Sequence, residues 1–170
     1  MTADVGNGNY VFLKKLMIGP MVSSIADSAF DLEAYENINY SYLAEIGFYK
    51  HKWSEQYEDA PALRKTGKRS FFGHSDLSSV QLPDEVTCIN SKSFYNCTSL
   101  SSISLPSALA MFGSYVFKND EQLSSIDVPA SVKNIGKHAF ESCPSLEYAY
   151  FSGKSFLELS AMKSSFWDLD

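Results

Sequence analysis

The chain has 170 residues, 45% of them apolar, which suits one compact domain or one short repeat array. The balance is acidic, 14 Lys+Arg against 20 Asp+Glu, so a basic stripe for nucleic acid or for an anionic membrane surface is disfavoured. No stretch approaches the roughly 18 apolar residues that a transmembrane helix needs, so no membrane insertion is expected.

Residues 1–9 are polar and rich in Gly and Asn, and read as a loose start. Tyr10–Ile18 is apolar, but Lys14 and Lys15 interrupt it and no basic segment precedes it, so it is not a secretory signal. Leu13, Leu16, Ile18, Val22, Ile25, Ala29 and Phe30 recur at spacings that return later in the chain. They define a first repeat over 13–34.

Residues 31–76 admit two readings. In one, two degenerate repeats occupy 35–54 and 55–76. Tyr35–Tyr40 is then a first strand, and Leu43-Ala-Glu-Ile-Gly47 fits a second, Val-x-x-Ile-Gly segment with one residue deleted. In the other, an aromatic-rich insertion carrying Tyr35, Tyr40, Tyr42, Phe48, Tyr49, Trp53 and Tyr57 loops out of the array. Under either, Leu63–Phe71 has the spacing of Val132–Phe140.

The regular part follows. Leu77-Ser-Ser-Val-Gln-Leu-Pro83, Leu100-Ser-Ser-Ile-Ser-Leu-Pro106 and Leu123-Ser-Ser-Ile-Asp-Val-Pro129 begin 23 residues apart, and Leu146 opens another copy at the same interval. Parallel pairing sets neighbouring strands ~4.8 Å apart, so one coil per repeat stacks equivalent residues in columns. Leu77, Leu100, Leu123 and Leu146 form the first inward column. Val80, Ile103, Ile126 and Ala149 form the second, and Phe94, Phe117 and Phe140 the last. Each unit holds too few apolar residues to fold alone, so stability comes from stacking. Pro after each strand fits a turn, because it has no N–H for the ladder. Ser155-Phe-Leu-Glu158 is a capping box, and Phe156, Leu159 and Met162 recur at helical spacing. A short capping helix within 155–170 is expected to close the stack.

The expected fold is therefore an α/β repeat solenoid over 1–154. It has about seven units of about 23 residues, a parallel β-sheet on one face and the C-terminal capping helix. The pattern Leu-x-x-Ile-x-Leu-Pro-x-x-Val-x-x-Ile-Gly-x-x-Ala-Phe-x-x-Cys, which residues 123–145 match nearly throughout, resembles the BspA-type leucine-rich repeat family. The resemblance is strong over 77–151, fair over 13–30 and weak over 31–66. It implies adhesion and protein binding at a microbial surface, without enzymatic activity of the repeats. The absent export signal departs from that location.

Three residues after each phenylalanine stand His74, Cys97, Asp120 and Cys143. Histidine beside cysteine is the material of a thiol nucleophile or a zinc site. The plainer reading is a turn position that accepts small, burial-tolerant residues. Cys97 and Cys143 fall two rungs apart, about 10 Å, beyond the ~7 Å reach of a disulfide. No catalytic residue, metal or cofactor is assigned. The outward face of the sheet carries the candidate binding residues Gln81, Ser104, Asp127, Tyr148 and Tyr150. The tyrosines offer contact area at low entropic cost, although they could equally pack under the terminal helix. The expected partner is another protein or a glycan. The alternative role is a structural or decorating subunit of a larger assembly.

Overall fold

In the computed structural model, residues 14–18, 22–33, 43–48 and 63–153 are described. Nine short strands run through them: β1 (Lys15–Ile18), β2 (Glu45–Phe48), β3 (Ser79–Gln81), β4 (Cys88–Ile89), β5 (Ser102–Ser104), β6 (Met111–Phe112), β7 (Ser125–Val128), β8 (Asn134–Ile135) and β9 (Tyr148–Phe151). All pairing is parallel. A primary sheet has the order β1-β2-β3-β5, β7 pairs with β9, and β4-β6-β8 form a second sheet. Each of the three regular repeats over 77–145 thus gives one rung: a first strand, a proline turn, a short second strand, and a long turn back. Where the primary ladder is interrupted between β5 and β7, the same step is held by β6–β8 pairing and by the turn bond Tyr115 N–H to Lys137 O.

The long turns are themselves paired from rung to rung. The N–H groups of Lys92, Phe94 and Asn96 donate to the carbonyls of Ser114, Val116 and Lys118, and those of Tyr115, Phe117 and Asn119 donate to Lys137, Ala139 and Glu141. Alternate N–H groups point along the stack because left-handed residues bracket the phenylalanine. Arg69, Lys92, Tyr115 and His138 have φ between 54° and 60°, and Asn96 and Asn119 have φ of 63° and 65°. Such residues cost about 1–2 kcal/mol each in isolation, which the repeated hydrogen bonds offset.

Inside, Leu77, Leu100 and Leu123 are fully buried in one continuous core with Val80, Ile126, Ile89 and Phe112. The phenylalanine column extends two rungs further than its regular copies, Phe94, Phe117 and Phe140. Phe30, Phe71, Phe94, Phe117 and Phe140 stack with successive centroids 5.4, 5.4, 5.8 and 5.6 Å apart. Each buried ring of this kind contributes on the order of 2–3 kcal/mol. Thr66 replaces the isoleucine of Ile89 and is tolerated at 0% exposure because its hydroxyl is 2.8 Å from Ser93 Oγ and accepts Asn90 N–H.

The glycine of the Ile-Gly pair has a steric cause. A Cβ at Gly113 would lie under 3.0 Å from backbone atoms of Ser91 and Asn90, and one at Gly136 equally close to Gly113 and Ser114. The rungs approach most closely at this column, and only hydrogen fits.

The ladder fixes the register of 43–48. Lys15 pairs with Glu45, and Glu45 with Ser79, so one primary strand, β2, lies between the first repeat and β3. Leu43 and Ile46 occupy the columns of Leu77 and Val80, not those of a second strand. Phe30 stacks directly on Phe71, which leaves no further rung between them. Among the described residues the primary strands are six: β1, β2, β3, β5, β7 and β9. The expected strand Tyr35–Tyr40, the segment 49–62 and the capping helix of 155–170 lie outside the described residues, and there is no helix among the described ones.

Candidate functional site

Alternation along each first strand turns every second side chain outward. The outward residues are Lys15 and Met17, Glu45 and Gly47, Ser79 and Gln81, Ser102 and Ser104, Ser125 and Asp127, then Tyr148 and Tyr150. At the N-terminal end Lys15 pairs with Glu45 at 2.8 Å, and Met17 lies over Gly47, where a Cβ would be 2.9 Å from its Sδ. The middle is a ladder of small hydroxyls. At the C-terminal end Tyr148 is 70% and Tyr150 65% exposed. The register places Gln81 beside Ser104 and Asp127 beside Tyr150, with Ser125 beside Tyr148. All five candidate residues are exposed on this outward face. They fall into two groups, a polar pair on β3 and β5 and an acidic–aromatic group on β7 and β9.

The His74, Cys97, Asp120 and Cys143 column faces inward. His74, Cys97 and Asp120 are buried. Its members bond to the phenylalanine carbonyl one rung back: His74 Nε2 to Phe30 O at 2.6 Å, Cys97 Sγ to Phe71 O at 3.3 Å, Cys143 Sγ to Phe117 O at 2.9 Å. Asp120 Oδ1 accepts Cys97 N–H at 2.9 Å. Burial pushes the Cys97 thiol well up and the Cys143 thiol up to about 12, and holds the Asp120 carboxyl well above the ordinary carboxylate range. Protonated thiols that donate to carbonyls are hydrogen-bond pegs between rungs, not nucleophiles. All three cysteines are free thiols.

A second column set went unread in the sequence. Two residues before each phenylalanine stand Arg69, Lys92, Tyr115 and His138, and one after it Asp31, Phe72, Tyr95, Lys118 and Glu141. They interlock. Arg69 bonds Asp31 and lies 3.7 Å from the centroid of Phe72, and Phe72 stacks on Tyr95 at 4.7 Å. Lys92 sits over both Tyr95 and Tyr115, Tyr115 stacks on His138 at 4.9 Å, and Lys118 and His138 both reach Glu141. His138 is thus a half-buried member of a cation–aromatic–anion chain. The 23-residue spacing of charges and rings was the signal.

The family described as BspA type leucine rich repeat region matches residues 46–165 in six copies. The chain belongs to the BspA-type leucine-rich repeat family. Solved structures with this architecture include a leucine-rich repeat protein of T. pallidum (24% identity, TM-score 0.68, 81% of this chain and 58% of that one). Another is a leucine-rich repeat protein from Bacteroides ovatus (26% identity, TM-score 0.63, 88% and 38%). A third is a leucine rich cell surface protein from Faecalibacterium prausnitzii (22% identity, TM-score 0.56, 84% and 40%). The chain therefore spans 38–58% of the lengths of these leucine-rich repeat structures. No curated relative matches the sequence.

Proposed function

We propose that this BspA-type chain is a non-enzymatic binding module, a leucine-rich-repeat solenoid that contacts another protein through the outward face of its primary strands. The observation that carries the reading is the pair Tyr148 and Tyr150. Two aromatic rings, 70% and 65% exposed, stand at alternate positions of one strand, beside a stretch of the face made of small polar residues. Exposed tyrosines beside an acidic residue, here Asp127, combine apolar area with a hydrogen-bonding rim. Leucine-rich repeats of this family generally serve protein interaction or adhesion. One similar structure is described as a cell surface protein, which supports a surface location.

The test compares capture by the intact chain with capture by a Tyr148→Ala/Tyr150→Ala variant from the native source, quantified by mass spectrometry. A protein retained by the first and lost from the second is the expected result. An identical retained set refutes this face as the contact surface. Copurification of the chain in fixed stoichiometry with a multi-subunit particle would instead identify a structural subunit.

A further inference from the structure

The net charge of −6 hides an uneven division of charge within residues 63–153. Between 63 and 153 there are eight Lys/Arg and eight Asp/Glu. All eight cations lie on the second strands and long turns: Arg64, Lys65, Lys68, Arg69, Lys92, Lys118, Lys133 and Lys137. Only Asp120, which is buried, and Glu141, which is paired with Lys118, are acids of the same segments. The other six acids lie in the first strands and the turns flanking them. Arg64, Lys65, Lys68, Lys133 and Lys137 are exposed.

The rungs order these cations. Lys65 bridges to Cys88, Cys88 pairs with Met111, and Met111 with Asn134, so this outward column crosses four rungs. Arg64, Lys65 and Lys68 stand at one end, and Lys133 and Lys137 three steps along, about 14 Å at the spacing of paired strands. Thr87, Ser91 and Ser114 lie between them, with the half-buried Lys92 and Cys88 and the exposed Met111. Among the described residues, the neighbouring acids of the first rung bound the patch. Asp31 and Glu33 are taken by Arg69, and Asp27 accepts the Lys68 N–H at 2.7 Å.

We propose that this side binds an anionic polysaccharide carrying uronic-acid carboxylates at intervals along its chain. The site is separate from the tyrosine face and goes beyond the function proposed above. Charge complementarity names the occupant. Two cationic clusters separated by a stretch that carries hydroxyls and the exposed Met111 match a polymer whose charges are spaced and whose intervening sugar rings offer hydroxyls and apolar C–H faces. A nucleic-acid duplex carries one charge per about 1.7 Å of axis and calls for a dense cationic groove. Arg64 can hold a carboxylate in two parallel bonds, and the lysines act as point charges.

The test is fluorescence anisotropy of labelled hyaluronate oligosaccharide with the intact chain, alongside dextran and duplex DNA. Hyaluronate binding that weakens between about 50 and 200 mM salt is expected, with none to dextran. Lys65→Glu with Lys133→Glu should weaken it roughly tenfold or more, while Tyr148→Ala with Tyr150→Ala leaves it unchanged. Lys65→Gln with Lys133→Gln should weaken it in the same direction, and circular dichroism verifies that each variant is folded. Absence of hyaluronate binding, indifference to both lysine pairs, or equal or tighter binding of duplex DNA would overturn the proposal.

Discussion

Arg69 reaches back across 38 residues to grip Asp31, Nε to Oδ2 at 2.6 Å and Nη2 to Oδ1 at 3.2 Å. The Asp31 side chain is 1% exposed and the Arg69 side chain 30%. Ser28 Oγ and Glu33 N–H complete the carboxylate's bonds. Breaking such a pair from one side leaves a charge buried without its partner, which costs about 3–5 kcal/mol. Arg69→Ala should therefore lower unfolding stability by about 3 kcal/mol in urea titrations. Arg69→Lys should recover only part of this, because a lysine cannot reproduce the two-point grip or lie flat on Phe72. Lys15→Ala, at the exposed Lys15–Glu45 pair, should change stability by less than about 0.5 kcal/mol. Equal effects at the two sites would refute the claim that Arg69 anchors the first rung.

Asp120 gives the stack an unusual dependence on pH. Its side chain is buried, its Oδ2 has no hydrogen-bond partner among the described residues, and the titratable groups beside it in the column are the thiols of Cys97 and Cys143. Burial raises its pKa well above that of the unfolded chain. The unfolded state then releases the proton first. The stabilisation by the neutral acid is complete below the unfolded value of about 3.9 and is lost as pH rises through the folded value. Within that window the loss is about 1.4 kcal/mol per pH unit. By register, the protonated acid stands where His74, Cys97 and Cys143 reach the preceding phenylalanine carbonyl, so Phe94 O is the expected acceptor. Asp120→Asn keeps a donor and an acceptor but does not titrate. Wild type should lose stability relative to this variant as pH rises above the unfolded value of about 3.9, until the folded value is passed. Parallel stability curves for the two proteins would exclude a neutral Asp120.

The glycine column predicts a localised steric effect. Gly113→Ala and Gly136→Ala each drive a methyl group into the backbone of the preceding rung. Neither site has a flexible side chain to yield, so each should cost about 1–3 kcal/mol, the range for overpacking. Hydrogen exchange should show the loss at the amides that cross that step. For Gly136→Ala these include Gly136 N–H to Phe112 O and Lys133 N–H to Ala110 O. Uniform loss of protection along the whole chain would argue against a local clash.

The regular rungs were legible because a 23-residue period places Leu77, Leu100 and Leu123 on one line, and burial leaves that line no other side to face. The register of 43–48 was not. Leu43-Ala-Glu-Ile-Gly-Phe48 satisfies Leu-x-x-Ile-x-Leu as well as Val-x-x-Ile-Gly, since both patterns space two apolar residues three apart. Only the hydrogen bonds to Lys15 and Ser79 decide between them, and these join residues 30 and 34 positions apart rather than 23. The inward column of His74, Cys97 and Cys143 was visible as a column, but not as a set of donors. What these residues share is side-chain hydrogen-bonding reach, to which hydrophobic patterning is blind. The basic side was masked by averaging, because an overall charge of −6 says nothing of how charge is divided within each repeat.

The tyrosine pair allows contact and stability to be separated. A residue that packs under a neighbouring element loses stability on truncation, whereas a solvent-facing ring does not. Tyr148 and Tyr150 are exposed, and the residues between and after them on β9, Ala149 and Phe151, face the core. Tyr148→Ala and Tyr150→Ala should each change unfolding stability by less than about 0.5 kcal/mol, while Phe94→Ala, from the middle of the ring stack, should cost about 3–5 kcal/mol. Chemical denaturation of the three variants measures this. Losses above about 1.5 kcal/mol for either tyrosine would place it in packing rather than on the binding face, and capture experiments with it would then report folding instead of contact.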